Sequence, residues 1–298
     1  MTTRHTKLVV NPTARKGEAL ALAEPVSDIL RSHGWTVEKL ITTDAQHAVE
    51  IARDTEADEA LLVALGGDGL VARVAEGAYH SGALVAPLSA GRGHDFIRAI
   101  GAPSDVLTAA RLLPTAREFR VDLGFAGDTP FLGVATAGYD SQANDYANVA
   151  PRFVPSALVY AYGGARALFD TKIATITTRI DGTSRTFSGW NVAVGNSGRY
   201  GAGMRINPDA DLHDGKLDIT TNESLPRWRY PFLLPKLFAG THVDGTHIRA
   251  DRGAEIEVSA PAGWRVYADG DIVGETPMTF TVVHDALRIL ASIDSTTD

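Results

Sequence analysis

The chain has 298 residues, a formal net charge of −8 and a sequence pI near 5.6, a balance that argues against a general nucleic-acid binder. Apolar residues make up 44% and charged residues 21%, the composition of an ordinary globular chain with room for two domains or one large one. There are no cysteines, which excludes disulfides, thiolate chemistry and Cys-ligated zinc.

The first residues lead straight into the strand-like Leu8-Val9-Val10. That leaves no room for a secretory apolar segment, so a cytosolic location is expected. No apolar stretch approaches the roughly 18 residues of a spanning helix. From residue 8 to about 120 the apolar pattern alternates between strand and helix periods. Strands are predicted at Leu8–Val10, Trp35–Thr42, Leu61–Leu65 and Ala83–Pro87. Helices are predicted at Ala19–Ser32, Ala45–Asp54, Val71–His80, Asp95–Ile100 and Asp105–Leu113. This alternation predicts βαβ units and a parallel sheet covered on both faces. From about Arg120 strand-like runs dominate: Phe119–Leu123, Phe131–Thr136, Ile173–Ile180, Trp190–Gly195, Leu217–Thr220, Glu255–Ser259, Arg265–Ala268 and Met278–Val283. Helical stretches at Ser156–Phe169 and near Arg229–Phe238 interrupt them. The expected organisation is an α/β domain over 1–120 and an antiparallel β-sandwich over 121–285. The run Ala286–Ser292 is a candidate to cross back, so that 286–298 would complete the first domain.

The most informative local pattern is Gly66-Gly67-Asp68-Gly69-Leu70, between a predicted strand and a predicted helix. Glycines let a backbone approach an anion closely, and the amides opening the next helix point at it with the positive end of the dipole. An aspartate there repels bare phosphate, so it makes sense beside a magnesium ion or a reacting hydroxyl. The plain alternative is a strand-to-helix turn with an Asp cap. Ligands of such sheets bind beyond the carboxyl ends of the strands, which is where Asn11, Thr42 and the 66–70 turn are expected to meet.

Taken in order, the motifs resemble the bacterial diacylglycerol-kinase-like lipid kinases, relatives of sphingosine kinases and, more distantly, NAD kinases. Asn11-Pro12-Thr13-Ala14-Arg15-Lys16-Gly17 is similar to the family's opening Asn-Pro-x-Ser-Gly, and Gly66–Leu70 to its Gly-Gly-Asp-Gly-Thr. Gly91-Arg92-Gly93-His94-Asp95-Phe96 with Arg98 resembles Gly-Thr-Gly-Asn-Asp-Phe-Ala-Arg. Val121-Asp122-Leu123-Gly124 and Ala137-Gly138-Tyr139-Asp140 are similar to two later landmarks. Asn207-Pro208-Asp209-Ala210 with Asp214-Gly215-Lys216-Leu217-Asp218 resembles the Pro-x-Ala…Asp-Gly-x-Leu-Asp segment, and Ala268-Asp269-Gly270-Asp271 the Asp-Gly-Glu turn.

The resemblance implies a kinase that moves the γ-phosphoryl of ATP to a lipid hydroxyl with magnesium. ATP is expected along Asn11, Pro12, Thr13, Ala14, Arg15, Lys16, Thr42, Gly66, Gly67, Asp68, Gly69, Leu70, Gly91, Arg92, Gly93, His94 and Asp95. The general base is expected at Asp269 or Asp271, with Asp68 also catalytic. A structural magnesium, carried over by position, would use the Asp214 carboxylate and the backbone carbonyls of Asp211 and Lys216. The expected partner is a lipid presented at a membrane surface, with no nucleic acid; a homodimer is compatible and not specified. Asp269-Gly270 and Asp214-Gly215 also read as ordinary turns, and Arg227–Tyr230 with Phe232–Leu234 as either a packed helix or an interfacial one.

Departures from the family pattern cluster at the nucleotide motifs. Ala14 and Arg15 replace Ser-Gly, Leu70 stands where many members have Thr, Arg73 reverses a usual Glu, and Arg92 and His94 replace Thr and Asn. Added cations would strengthen a phosphate grip, whereas bulk would fill the site. The alternatives are a silent lipid- or nucleotide-binding regulator on the same scaffold and, less well supported, a NAD kinase, whose later motifs are missing.

Overall fold

Short apolar strands separated by amphipathic helices leave each strand few ways to bury both faces, and a parallel sheet between helix layers is the result. The computed structural model describes residues 4–91, 93–151, 159–223, 225–260 and 263–293. The expected residue Arg92, the start of the helix expected from Ser156, and the end of the chain from 294 lie outside the described residues.

The strands are β1 (His5–Val10), β2 (Thr36–Ile41), β3 (Leu61–Gly66), β4 (Leu84–Ser89), β5 (Arg117–Ala126), β6 (Thr129–Phe131), β7 (Val134–Gly138), β8 (Ala174–Ile180) and β9 (Thr183–Gly189). They continue with β10 (Asn191–Gly195), β11 (Arg199–Tyr200), β12 (Met204–Arg205), β13 (Leu217–Asn222), β14 (Ile248–Gly253), β15 (Glu255–Ser259), β16 (Arg265–Ala268), β17 (Asp271–Glu275) and β18 (Met278–Ala291). The helices are α1 (Glu18–Ser32), α2 (Ala45–Arg53), α3 (Asp68–Ser81), α4 (Asp95–Ala99), α5 (Val106–Leu112), α6 (Tyr139–Asn148), α7 (Val159–Asp170) and α8 (Leu234–Ala239).

In the N-terminal domain the strands run β2-β1-β3-β4, all parallel, and β4 pairs parallel with β18 through Leu84↔Arg288 and Val85↔Ile289. Helix α1 buries Ala19, Ala23, Val26 and Leu30 on one side of this sheet, and α3 buries Leu70, Val71, Val74 and Ala78 on the other. Their spacing of three or four residues is what gives each helix one apolar stripe. In the C-terminal domain the antiparallel sheet β14-β13-β10-β7-β16-β17 packs face to face on the continuation β18-β15-β8-β9 of the first sheet. Ile176, Val192, Ile219, Ile256, Val266 and Phe280 interdigitate between the two layers. The antiparallel ribbon of β5 and β18 runs through both halves, and the expected boundary near 120 falls inside β5.

Three expectations need correction. The single strand expected over Phe131–Thr136 is broken, because the amides of Leu132 and Gly133 turn away to the Asp269 carboxylate. The two last strand runs are one strand with a bulge between Val283 and Leu287, where His284 and Asp285 reach the buried Asp122. The helix expected near Arg229–Phe238 is a 3-10 segment, Arg227–Leu233, containing Pro231, followed by α8. Helix α6 and strands β9 and β14 were not expected, since their sequences are polar and their outer positions exposed.

Candidate active site

Three loops leave the carboxyl ends of β1, β3 and β4 side by side. The Asn11 amide donates to the Leu65 carbonyl at 3.3 Å, and the Ala90 amide to the Gly66 carbonyl at 2.6 Å. Asn11 Oδ1 accepts from the Thr13 amide (3.0 Å) and hydroxyl (2.9 Å), which folds the loop back on itself. Arg15 and Lys16 adopt left-handed backbone angles before Gly17. Arg15 turns to Glu18 at the start of α1 at 3.1 Å, while Lys16 is exposed. Pro12 and Ala14 shape the same turn, and Thr42 is buried with its hydroxyl donating to the Val10 carbonyl.

The glycine turn is locked to the next loop. Asp68 Oδ1 accepts the Asp95 amide at 3.0 Å and Oδ2 the His94 amide at 3.1 Å. A Cβ on Gly91 would lie 2.8 Å from the Gly67 Cα, and one on Gly93 would lie 2.7 Å from Asp68 Oδ2, so only glycines permit this approach. Around Gly69 nothing lies within 4 Å of an added Cβ. Leu70 departs from the expected nucleotide contact: its side chain packs in the core beneath Gly66, and its amide donates to the Gly67 carbonyl. Its bulk is therefore directed away from the cleft.

One carboxylate of the N-terminal domain accepts amides of the C-terminal one. Asp95 accepts the Ala202 (3.2 Å) and Gly203 (2.6 Å) amides at the tip of the β11–β12 hairpin. Burial, with help from the Asp68 charge, raises its pKa above the usual carboxylate range, against the pull of those amides. Across the cleft, Asp269 and Gly270 form the two-residue turn between β16 and β17, both with positive φ. Asp269 points inward, accepting Leu132 N–H at 2.7 Å and Gly133 N–H at 2.8 Å. A Cβ on Gly133 would lie 2.6 Å from Asp269 Oδ1. Desolvation outweighs these bonds and, with the Asp68 charge, pushes the Asp269 pKa up to about 6.

The alternatives for the base separate on geometry. Asp271 is exposed and forms an ion pair with Arg73 Nη2 at 2.6 Å, Arg73 also holding Glu76 at 2.8 Å. The charge reversal at Arg73 thus supplies an interdomain tie. The expected metal set of Asp214 with the Asp211 and Lys216 carbonyls lies beside a cation. Asp214 Oδ1 accepts the Lys216 amide and Oδ2 lies 3.3 Å from Arg252, while the Asp211 carboxylate accepts the His213 amide. Arg252 is also bonded to Asp218 (2.9 Å) and to the Asp209 carbonyl (2.7 Å). A guanidinium already supplies the positive charge there, so a structural dication does not fit without displacing it. Among the described residues, the cluster with ligand atoms close enough for a metal is instead Asp122, His284 and Asp285, which are engaged with one another and with backbone amides.

Sequence reading missed the hairpin amides of Ala202 and Gly203, the Leu132 and Gly133 amides, and the pairing of Arg73 with Asp271. The glycine-rich run Gly198–Gly203 was the available signal for the first. Amides that act from an irregular backbone leave none.

Residues 5–126 match the diacylglycerol kinase catalytic domain, and residues 133–291 match the YegS C-terminal NAD kinase beta sandwich-like domain. A Mycobacterium tuberculosis protein named diacylglycerol kinase is 30% identical over 294 residues, covering 95% of this chain and 93% of its own length. A Pseudomonas putida protein named "Probable lipid kinase YegS-like" is 30% identical over 264 residues, 87% of each chain. A crystal structure of a diacylglycerol kinase from Bacillus anthracis str. Sterne shares the fold with a TM-score of 0.76 at 18% identity, covering 98% of both chains. With the two domain models matching in order, and a relative this similar across nearly all of it, the chain belongs to the family of diacylglycerol kinases and YegS-like lipid kinases.

Proposed function

We propose that this chain transfers the γ-phosphoryl group of ATP, taken up as its magnesium complex, to the hydroxyl of a diacylglycerol-like or sphingoid-like lipid at a cytoplasmic membrane surface. The observation that carries this reading is Asp269, a carboxylate fixed by two backbone amides, with its pKa raised to about 6, opposite the Gly66–Gly69 turn. Phosphoryl transfer asks a protein mostly for positioning and charge neutralisation. The amides of Gly67 and Gly69 at the opening of α3 suit the phosphates, and the open space over Gly69 admits them. Asp68 and Asp95 are carboxylates of the kind that meet nucleotide-borne magnesium. Asp269 accepts the lipid hydroxyl proton as the lipid oxygen bonds to Pγ and the bond from Pγ to the β,γ-bridging oxygen breaks, releasing ADP. Among the described residues one chain supplies all of these groups.

A second reading, binding without turnover, is favoured by the Arg73–Asp271 pair, which occupies the carboxylate that follows the turn. Incubation with γ-labelled ATP, magnesium and mixed micelles of diacylglycerol, sphingoid base or phosphatidylglycerol separates the two. Labelled lipid supports the kinase. Nucleotide binding with no labelled product from any acceptor supports the silent scaffold.

A further inference from the structure

The segment Leu225–Phe238 carries two apolar faces. One is inward: Leu225, Leu233 and Leu237 are buried with Ile206, Val134 and Ile248, and Tyr230 leans on Tyr139 and Trp190 at 4.4 and 4.8 Å. The other is outward, with Trp228 67%, Phe232 71%, Leu234 50% and Phe238 51% exposed. Packing on the sandwich therefore accounts for only half of the apolar side chains. Four large residues so close together exceed the scatter of single exposed hydrophobics that monomer surfaces carry.

The surrounding charge identifies what would cover them. Residues 224–243 contain no acid, although the whole chain carries −8. Arg229 lies over the Trp228 ring at 5.3 Å, and Lys236 is exposed between Leu234 and Phe238. The bordering acids are engaged: Glu223 with Arg185 and Arg249, and Asp244 with the amides of Thr246, His247 and Ile248. A chain repelled overall by an anionic surface approaches one most readily through such an acid-free segment. Indole and phenyl rings beside cations match the boundary between headgroups and acyl chains.

We infer that Trp228, Phe232, Leu234 and Phe238, with Arg229 and Lys236, dock this protein on an anionic phospholipid bilayer. The inference rests on the lipid-kinase reading and gives that reading an orientation. Met204 of the β11–β12 hairpin packs in the same cluster as Leu233 and Leu237, and the hairpin tip holds Asp95 in the cleft. The docked face and the cleft thus share one element.

The test is sedimentation of the full chain with vesicles of phosphatidylglycerol and phosphatidylcholine, or of phosphatidylcholine alone, without nucleotide. The wild type binds the anionic vesicles at least about tenfold more strongly than the neutral ones, and Trp228→Ala/Phe232→Ala and Arg229→Glu/Lys236→Glu each remove most of that binding. Both variants keep the wild-type melting curve, because these side chains face outward. Equal partitioning of wild type and variants overturns the inference. So does a concentration-dependent dimer in the wild type that both variants abolish, which would make a second copy the occupant. Vesicle binding without any labelled lipid product counts against the kinase reading and leaves the docking surface standing.

Discussion

The raised pKa of Asp269 predicts a pH dependence of the rate and of the stability with opposite senses. The base works only when ionised, so kcat/KM rises with pH through about 6 and levels off above 7. Between pH 7 and pH 5 the ionised fraction falls about tenfold, and the rate falls with it where chemistry limits turnover. The same shift acts on stability with the opposite sense. A carboxyl whose folded pKa lies above its ordinary 3.8 holds its proton more tightly when folded, so folding stability declines as pH rises from about 4 through about 6. At pH 7.5 the ionised group costs about 3 kcal/mol relative to its neutral form. Asp269→Asn removes that cost while giving up one of the two amide bonds, since an amide offers a single oxygen. The variant is expected to lose at least about a hundredfold in kcat while melting no lower than the wild type at pH 7.5. Asp95 is also raised by burial, so the acid limb must disappear in Asp269→Asn to be assigned. Steady-state rates from pH 5 to 8 and a melting curve of each protein decide the matter. A wild-type profile flat across that range, or a variant above about a tenth of wild-type activity, would refute the assignment.

Three further outcomes follow from the cleft and its borders. Gly69→Ala meets no atom within 4 Å and sits in a helix, so it should keep or slightly raise the melting temperature, yet weaken ATP binding at least about tenfold by calorimetry if phosphate occupies that space. Arg73→Glu places a carboxylate against Asp271 and Glu76 and is expected to cost roughly 1 kcal/mol in urea unfolding. Adding Asp271→Arg should recover it, and additive losses in the double variant would deny the pair any coupling. Because Arg252 already pairs with both Asp214 and Asp218, chelation with EDTA should leave the melting temperature unchanged, whereas Arg252→Ala should lower stability by roughly 2 kcal/mol. A melting temperature that climbs with magnesium would restore the ion.

Much of the fold was legible because burial on both faces leaves a plain mark: Leu61–Leu65 and Ala83–Pro87 are unbroken apolar runs, and the structure makes them adjacent parallel strands. Strands whose outer residues meet solvent, such as β9 and β14, carry no such mark. At the site, the glycine turn and the Asp269 hairpin could be placed by their local backbone chemistry. Their mutual position could not, because it depends on amides 137 and 136 residues away in sequence. Leu70 and Asp214 show the reverse difficulty. Each occupies a motif position, but the direction of one side chain and the partner of the other are set by packing that a motif does not encode.

The place of β18 in the first sheet bears on how the chain comes off the ribosome. When residues 5–126 have emerged, β4 still lacks its neighbour on one side, and β5 lacks the strand it pairs with over most of its length. Both must wait for more than 150 further residues to be synthesised. A βαβ half that would otherwise finish folding early is left with an open apolar border through most of translation. The expected cost of that late closure is aggregation of nascent chains, read as a yield that rises with co-expressed chaperones. Moving the β18 segment ahead of β1 by circular permutation should relieve it.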